Sequence, residues 1–520
     1  MIKKFNLKWF KSTILCVFGV ILCVNIGLAQ DLIQKKIEKQ SLVFFTADQL
    51  ARKIRAEEVS SVEVVEVYLD HIDRINPEVN AIVTLDAKGA RRRAREADEA
   101  VKRGTLWGPL HGVPITIKDN LAVKGMRTTS GYEAYADVIP DEDATVVARL
   151  RNAGAIILGK TNMPPLGLDD QTYNELFGTT NNPWDFTKTP GGSSGGCAAA
   201  VAAGLTPLSI GNDIGGSIRF PAHYCGVFGL KPTDHLVSKA GLLPKSKEFK
   251  SLRYLLSNGP IARSVKDLRL ALSIIGGADI IDADVPAFPL HIPPKKAVDE
   301  LRIGWTETFG DVYVTKETRR VFTTFIETLT GKNLHLTRST PPDFDYARAN
   351  KTFFALLAQE TMIHESRFSR FLLSDIPAYK TVFPLSLKTY MKTLDQRERT
   401  ISQWEHFLAA FDVWICPVTP ASAFTHRKAD SSSGGLRTYK TPVMVDGQVL
   451  DRGGLTQIFN LTGHPVVVIP IGFTQAGLPV GVQLVGRRWH DMELLNVAEQ
   501  IAEMCDPFVP PTMFVSFREK

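Results

Sequence analysis

Cysteine is scarce in this chain: six in 520 residues, far too few for a disulfide scaffold. The eleven histidines show no metal-ligand spacing. His364-Glu365 opens an H-E-x-x-H pattern, but Phe368 stands where the second zinc ligand belongs, so a metallohydrolase is not expected. Charge of one sign is also lacking. Sixty-one Lys and Arg against 55 Asp and Glu give a net +6, well short of a nucleic-acid footprint. There is no internal repeat and no long low-complexity run; the Ser/Gly patch at 431–435 reads as a loop. What is there is an ordinary globular balance, 44% hydrophobic and 22% charged, which excludes a disordered, collagenous or coiled-coil chain.

The small positive balance has a local source. Lys3, Lys4, Lys8 and Lys11 precede an apolar run over residues 14–26, and Gly27-Leu28-Ala29 then offers small residues before Gln30. A basic stretch, a short apolar stretch and small residues at the cut describe an export signal over 1–29. The apolar run is shorter than the roughly 20 residues of a spanning helix. Periplasmic or secreted localisation is therefore expected. The alternative is a retained anchor, with membrane association through residues 14–28. Without the segment the chain is nearly neutral and keeps Cys197, Cys225, Cys416 and Cys505, expected as mostly buried free thiols.

Along the chain, residues 46–104 read as helical, with Val62, Val65, Leu69, Ile72 and Ile75 at helical spacing. The run containing Arg91, Arg92, Arg93, Arg95, Glu96 and Asp98 reads as a solvated helix face rather than an anion site. From about 106 the pattern alternates. Val113 to Ile117 is a strand, Asp143 caps a helix ending at Gly154, and 155–158 is a short strand. Residues 195–204 form a helix of very small residues, 205–210 a strand, and 466–469 and 480–484 two more. This succession predicts an α/β architecture. Residues 285–440 are richer in helix, Pro and mixed charge and read as a more variable substrate-side lobe of one domain spanning 30–520.

Two motifs resemble chemistry that their surroundings do not support. Gly154-Ala-Ile-Ile-Leu-Gly159-Lys160-Thr161 matches the phosphate-binding loop G-x-x-x-x-G-K-[ST], yet its four middle residues are apolar and read as strand. Gly191-Gly192-Ser193-Ser194-Gly195 matches G-x-S-x-G, the nucleophile elbow. That motif must follow a strand, and here residues 181–190 are loop.

Three segments carry a joint signal: Gly112-Val113-Pro114-Ile115-Thr116-Ile117-Lys118-Asp119; Thr189-Pro190-Gly191-Gly192-Ser193-Ser194-Gly195-Gly196; and Gly211-Asn212-Asp213-Ile214-Gly215-Gly216-Ser217-Ile218-Arg219-Phe220-Pro221-Ala222. Together, with Gly229-Leu230-Lys231-Pro232-Thr233 and Asn460-Leu461-Thr462-Gly463-His464-Pro465, they resemble the amidase signature family of serine hydrolases over roughly residues 45–505. The resemblance implies an α/β amidase signature fold. Its core would be a large twisted mixed β-sheet with helices on both faces, carrying a helical insertion lobe. It also implies a Ser-Ser-Lys triad: Ser217 the nucleophile, Ser193, expected with a cis peptide bond, the relay, and Lys118 the general base.

The residue types suit those roles. A serine hydroxyl is a weak nucleophile until a base takes its proton. A lysine is a base only when neutral, which burial brings about. A hydroxyl both donates and accepts, so Ser193 can carry a proton between the other two. Gly215 and Gly216 leave the backbone bare, so the N–H groups of Ile214, Gly215, Gly216 and Ser217 are expected to converge on a substrate oxygen. Such an oxyanion hole is worth about 3–4 kcal/mol per donor. Ser194, Asp213 and Arg219 are expected to brace the loop.

The implied reaction is hydrolysis of a carboxylic amide to acid and amine through a Ser217 acyl-enzyme, with no cofactor and no metal. The substrate would be a small-molecule or lipid-like amide, with no nucleic acid partner, and the sequence leaves homo-oligomer formation open. Ile214 in Asp-Ile-Gly-Gly-Ser-Ile-Arg gives a slight likeness to the fatty acid amide hydrolase branch. The rivals are a catalytically silent binding protein of the same fold, which the intact Lys118, Ser193 and Ser217 disfavour, and a glutamyl-tRNA amidotransferase A-like subunit, which an export signal disfavours.

Overall fold

The computed structural model describes residues 41–243, 252–310, 312–332, 334–362, 386–433, 436–450, 454–505 and 508–515. Residues 1–29, expected to be an export signal, and the pair His364-Glu365 lie outside them. Short apolar runs become strands where both faces can be covered. Pro114–Lys118, Ile156–Thr161 and Leu208–Asp213 are buried along their whole length, as central strands under helices must be.

Among the described residues the main sheet has eleven strands. From one edge the order is Ile82–Leu85, Ile156–Thr161, Pro114–Lys118, Leu208–Asp213, Ser257–Ala262, Phe228–Lys231, Val466–Phe473, Pro479–Val485, Val413–Pro417, Arg302–Trp305 and His335–Arg338. Pro114–Lys118 runs parallel to both its neighbours, with Thr116 opposite Ser209 and Ile117 opposite Ile210. Antiparallel pairs fill the middle, and a parallel set closes the far edge. The sheet is mixed, as the resemblance implies. Helices cover it: Arg219–Cys225 and Asp491–Glu503 both pack on Val466–Phe473.

Several local expectations change. The stretch 46–104 is three helices, Ala47–Arg55, Ser61–Val79 and Ala87–Lys102, with an edge strand Ile82–Leu85 between the last two. Asn80, in the left-handed conformation at φ 50°, ends the second helix and turns the chain into that strand. Asp143 does not cap Thr145–Asn152: Ala144 occupies the cap position without a side-chain bond. The Asp143 carboxylate instead accepts from the Lys124 N–H at 2.7 Å and pairs with Arg151. The 431–435 patch is not simply loop, since Ser431–Ser433 pairs with Leu436–Thr438. In the basic run, Arg91 pairs with Glu66 and Arg93 with Glu96, the solvated face expected of it.

The segment 285–440 is more than a helical insertion. It supplies the helices Lys316–Thr330, Tyr346–Met362 and Leu387–Leu408, but also the three strands Arg302–Trp305, His335–Arg338 and Val413–Pro417, which extend the main sheet. A second apolar cluster holds it in place. Trp404 and Trp414 meet edge to face at 5.4 Å, with Phe309 and Phe459 against both. Each such aromatic pair adds about 0.5–1.5 kcal/mol beyond the area it buries. Cys197, Cys225 and Cys416 are buried free thiols, and Cys505 is half-buried. No helix among the described residues is long and apolar enough to cross a membrane.

Candidate active site

Two parallel neighbours, Pro114–Lys118 and Leu208–Asp213, end on the same side of the sheet. That puts Lys118 and Asn212 side by side at the carboxyl ends of their strands, where α/β sheets commonly open their sites. Lys118 is fully buried. Its Nζ lies 2.7 Å from Ser193 Oγ and donates to Asn212 Oδ1, also at 2.7 Å. Burial depresses the ammonium, only partly opposed by Cys197 and Asp213, and brings the lysine to about 7. A large part of Lys118 is therefore a neutral amine near neutral pH.

Ser193 reaches this lysine from a loop with little freedom. The Gly192-Ser193 peptide is cis. A side chain on Gly192 would run into the Asp169 carbonyl at 2.6 Å, so glycine is required there. The following helix, Gly195–Ala202, is buried throughout, and its small residues allow it to lie on backbone: a Cβ on Gly196 would sit 2.5 Å from Asn162 N and O.

Ser217 follows the end of strand Leu208–Asp213 and is nearly buried, at 8% exposure. Its carbonyl accepts from the Ser194 N–H at 3.0 Å, which ties the two serine loops together. Ser194 Oγ donates to the Asn212 carbonyl at 3.1 Å. The Asp213 carboxylate gathers the loop around itself, accepting from the N–H groups of Gly216 and Ile218, from Asn460 Nδ2 and from the Arg219 guanidinium. Burial by itself would raise the Asp213 carboxyl. Arg219 and the hydrogen bonds outweigh it and hold the group below the usual carboxylate range. Arg219 continues outward to the Thr456 carbonyl, Gln483 Oε1 and Asn460 Oδ1.

The expected set of four oxyanion donors needs one correction. Gly216 N–H donates to Asp213 Oδ1 at 2.8 Å, so it is engaged in holding the loop. That leaves Ile214, Gly215 and Ser217 as the backbone N–H groups expected to face a substrate oxygen. Gly215 faces the helix Tyr346–Met362: a Cβ there would touch Phe353 at 3.5 Å.

Two residues escape the sequence reading. Asn212 touches Lys118 directly, and Asn120 bonds Asn212 from the next strand end. Asn212 lies within the third quoted segment, but nothing in its residue type singles it out. The false phosphate loop resolves as expected. Its Gly159-Lys160-Thr161 ends the strand Ile156–Thr161, and the fully buried Lys160 donates to the Leu121 carbonyl and Thr128 Oγ1, both at 2.8 Å. Among the described residues no group of three His, Cys, Asp or Glu side chains is placed to hold a metal ion.

Known proteins resemble this chain over most of its length. The family model described as Amidase matches residues 63–495. The A component of a glutamyl-tRNA(Gln) amidotransferase from Alkaliphilus metalliredigens is 33% identical over 467 residues, covering 84% of this chain and 91% of its own. The solved structure of a 6-aminohexanoate cyclic dimer hydrolase superposes with a TM-score of 0.76 at 26% identity, covering 91% of this chain and 99% of that one. A fatty acid amide hydrolase gives 0.75 at 23% identity, covering 90% and 86%, a likeness of fold alone. With a family match across most of its length and a mixed sheet of the same build, this chain belongs to the amidase family, the amidase signature enzymes that act on C–N amide bonds.

Proposed function

We propose that this protein hydrolyses a carboxylic amide through an acyl-enzyme on Ser217. The observation that carries the reading is the 2.7 Å contact between Lys118 Nζ and Ser193 Oγ, made by a lysine that burial has brought to about 7. Neutral Lys118 takes the Ser193 proton as Ser193 Oγ takes that of Ser217, and Ser217 Oγ bonds to the amide carbon. The oxygen of the tetrahedral intermediate meets the N–H groups of Ile214, Gly215 and Ser217. The amine departs with the proton returned through Ser193. Water, activated by the same relay, then releases the acid and restores the serine. The burial of both serines, with Phe353 beside Gly215 in the nucleophile loop, favours a small-molecule or lipid-like amide.

The test is covalent. A fluorophosphonate probe should label Ser217, and Ser217→Ala should abolish labelling. A label on Ser193 or Ser194 with Ser217 untouched would overturn the assignment. Turnover of a panel of acetamide-like, aryl, long-chain and peptide amides then ranks the substrate class. Export to the periplasm or medium belongs to the same proposal and rests on residues 1–29. Amino-terminal sequencing of protein recovered from the native host checks it, and an intact Met1 in a soluble cytosolic fraction would refute it.

A second reading is favoured by the 33% identity to the amidotransferase A component. In it the same nucleophile releases ammonia from a carboxamide for use by a partner protein. Copurification of a stoichiometric partner, with glutamine turnover that depends on it, would establish that reading over free hydrolysis.

A further inference from the structure

We infer that Asn212 is a positioning residue for Lys118: its side-chain oxygen, held by Asn120, engages one lysine N–H and so narrows the directions open to the lone pair. The inference rests on the reading of Lys118 as the general base.

A neutral lysine amine has two N–H donors and one lone pair, and only the lone pair can receive the Ser193 proton. Nothing in the amine itself prevents it from rotating so that an N–H faces Ser193 instead. Asn212 Oδ1 lies 2.7 Å from Nζ and carries no proton, so that contact is satisfied only by a lysine N–H. One donor is thereby committed to a partner other than Ser193 Oγ, itself 2.7 Å from Nζ, which leaves the lone pair and a single N–H to compete for the serine.

The device works only if the amide keeps its oxygen toward the lysine. Turned over, Asn212 would present Nδ2, a donor that competes for the lone pair. Asn120 opposes this as long as its own oxygen faces Asn212 Nδ2. Asn212 Nδ2 donates to Asn120 Oδ1 at 2.9 Å, and Asn120 Nδ2 faces Asn212 Oδ1 at 3.4 Å. Both asparagines are buried, so neither exchanges these partners freely for solvent. The Asn212 backbone is held in turn by Ser194 Oγ, through its carbonyl at 3.1 Å and its N–H at 3.4 Å. The residue that orients the base is thus tied to the neighbour of the relay serine.

The acceptor is also neutral, which matters for the same lysine. Burial favours the uncharged amine, while Cys197 on the helix Gly195–Ala202 and Asp213 on the strand Leu208–Asp213 act the other way. The adjacent carboxylate, Asp119, is engaged by Thr129 N–H at 3.0 Å and by Lys160 at 3.5 Å. A carboxylate at position 212 would satisfy the lysine N–H equally well but would return the proton to it.

The experiment compares Asn212→Leu, a near-isostere without the acceptor, with Asn212→Asp, using a fluorophosphonate probe and reading the labelling rate of Ser217 against pH. Asn212→Leu should slow the maximal labelling rate by about 100-fold, the order expected of a misdirected base, with the half-saturating probe concentration little changed. Asn212→Asp should move the acid limb of the profile up by about 1–3 pH units and recover rate at high pH. A role confined to stability would lower the melting temperature and leave the limb where it was. An unmoved limb in Asn212→Asp, with Asn212→Leu labelled as fast as the parent, overturns the inference while leaving the triad intact. The triad reading fails separately, if the parent protein is not labelled at Ser217 or if Lys118→Ala labels normally. Should the 212 variants not fold, Asn120→Ala decides. It should slow labelling with the limb unmoved, and an unchanged rate overturns the inference.

Discussion

Arg219 and Asp213 form a fully buried ion pair, Nη2 to Oδ1 at 2.9 Å, that spans the loop carrying Ser217. Neither side chain has any solvent exposure. Two buried charges are tolerated together because each is also hydrogen-bonded on its remaining positions, Asp213 by backbone N–H groups and Arg219 by Thr456, Gln483 and Asn460. The pair holds the nucleophile loop as a unit.

Removing one partner should therefore be costly. Arg219→Leu leaves a carboxylate buried with no cation, and should lose about 3–5 kcal/mol of stability in denaturant titrations, together with fluorophosphonate labelling of Ser217. A loss below about 1 kcal/mol would mean that the loop does not depend on the pair.

How much of this is legible in the sequence depends on range. The mixed α/β class, the small-residue helix and the strand nature of the false phosphate loop can all be read, because apolar runs and glycine spacing are local signals. Lys118, Ser193 and Ser217 come from three motifs recognised together, and the chain does bring Lys118 against Ser193 and the two serine loops against each other. Asn212 and Asn120 escape because an asparagine has no periodicity to betray it, and its meaning comes from a partner 92 residues away. The edge strand Ile82–Leu85 is hidden between two strong helices. The three main-sheet strands within 285–440 are hidden by the helix-rich composition around them, since strand pairing is a long-range choice.

The two glycines before Ser217 should respond differently to alanine. Gly216 has φ +130°, and a Cβ there would sit 2.5 Å from the Phe220 ring, whereas a Cβ on Gly215 meets its nearest atom at 3.5 Å. Gly216→Ala should cost about 1–3 kcal/mol in thermal or denaturant unfolding, and Gly215→Ala less than about 1 kcal/mol. Equal losses would contradict the contact geometry. Gly215→Ala should show its effect in labelling rate instead, because its N–H borders the site.

The pH dependence of labelling should follow the lysine. The base acts only without its proton, so the rate rises with pH as Lys118 deprotonates and levels off above it. With the amine brought to about 7 by burial, the limb should centre near neutrality. Removing the neighbouring carboxylate charge with Asp213→Asn takes away a group that favours the ammonium, so the limb should move to lower pH in whatever fraction remains folded. A limb near 10, the range of a solvated lysine, would show that burial does not lower the Lys118 ammonium.

Buried lysines also leave a mark on stability. Lys118 and Lys231 are brought to about 7 and Lys160 to about 8, in each case chiefly by burial, from an ordinary value of 10.5. Above pH 7 the unfolded chain binds protons on these groups that the folded chain has given up, so the unfolding free energy should rise with pH. Each lysine fully neutral in the fold contributes about 1.4 kcal/mol per pH unit. The buried thiols Cys197, Cys225 and Cys416, pushed up by burial, oppose this once free thiols ionise near 9, so the clean window is pH 7 to 9. Lys231 is the residue to test, because it donates to the Pro232 carbonyl at 2.8 Å and lies outside the proposed relay. Urea titrations at pH 7, 8 and 9 should show Lys231→Met reducing the slope by about 1.4 kcal/mol per unit. An unchanged slope would mean that Lys231 keeps its proton in the folded protein.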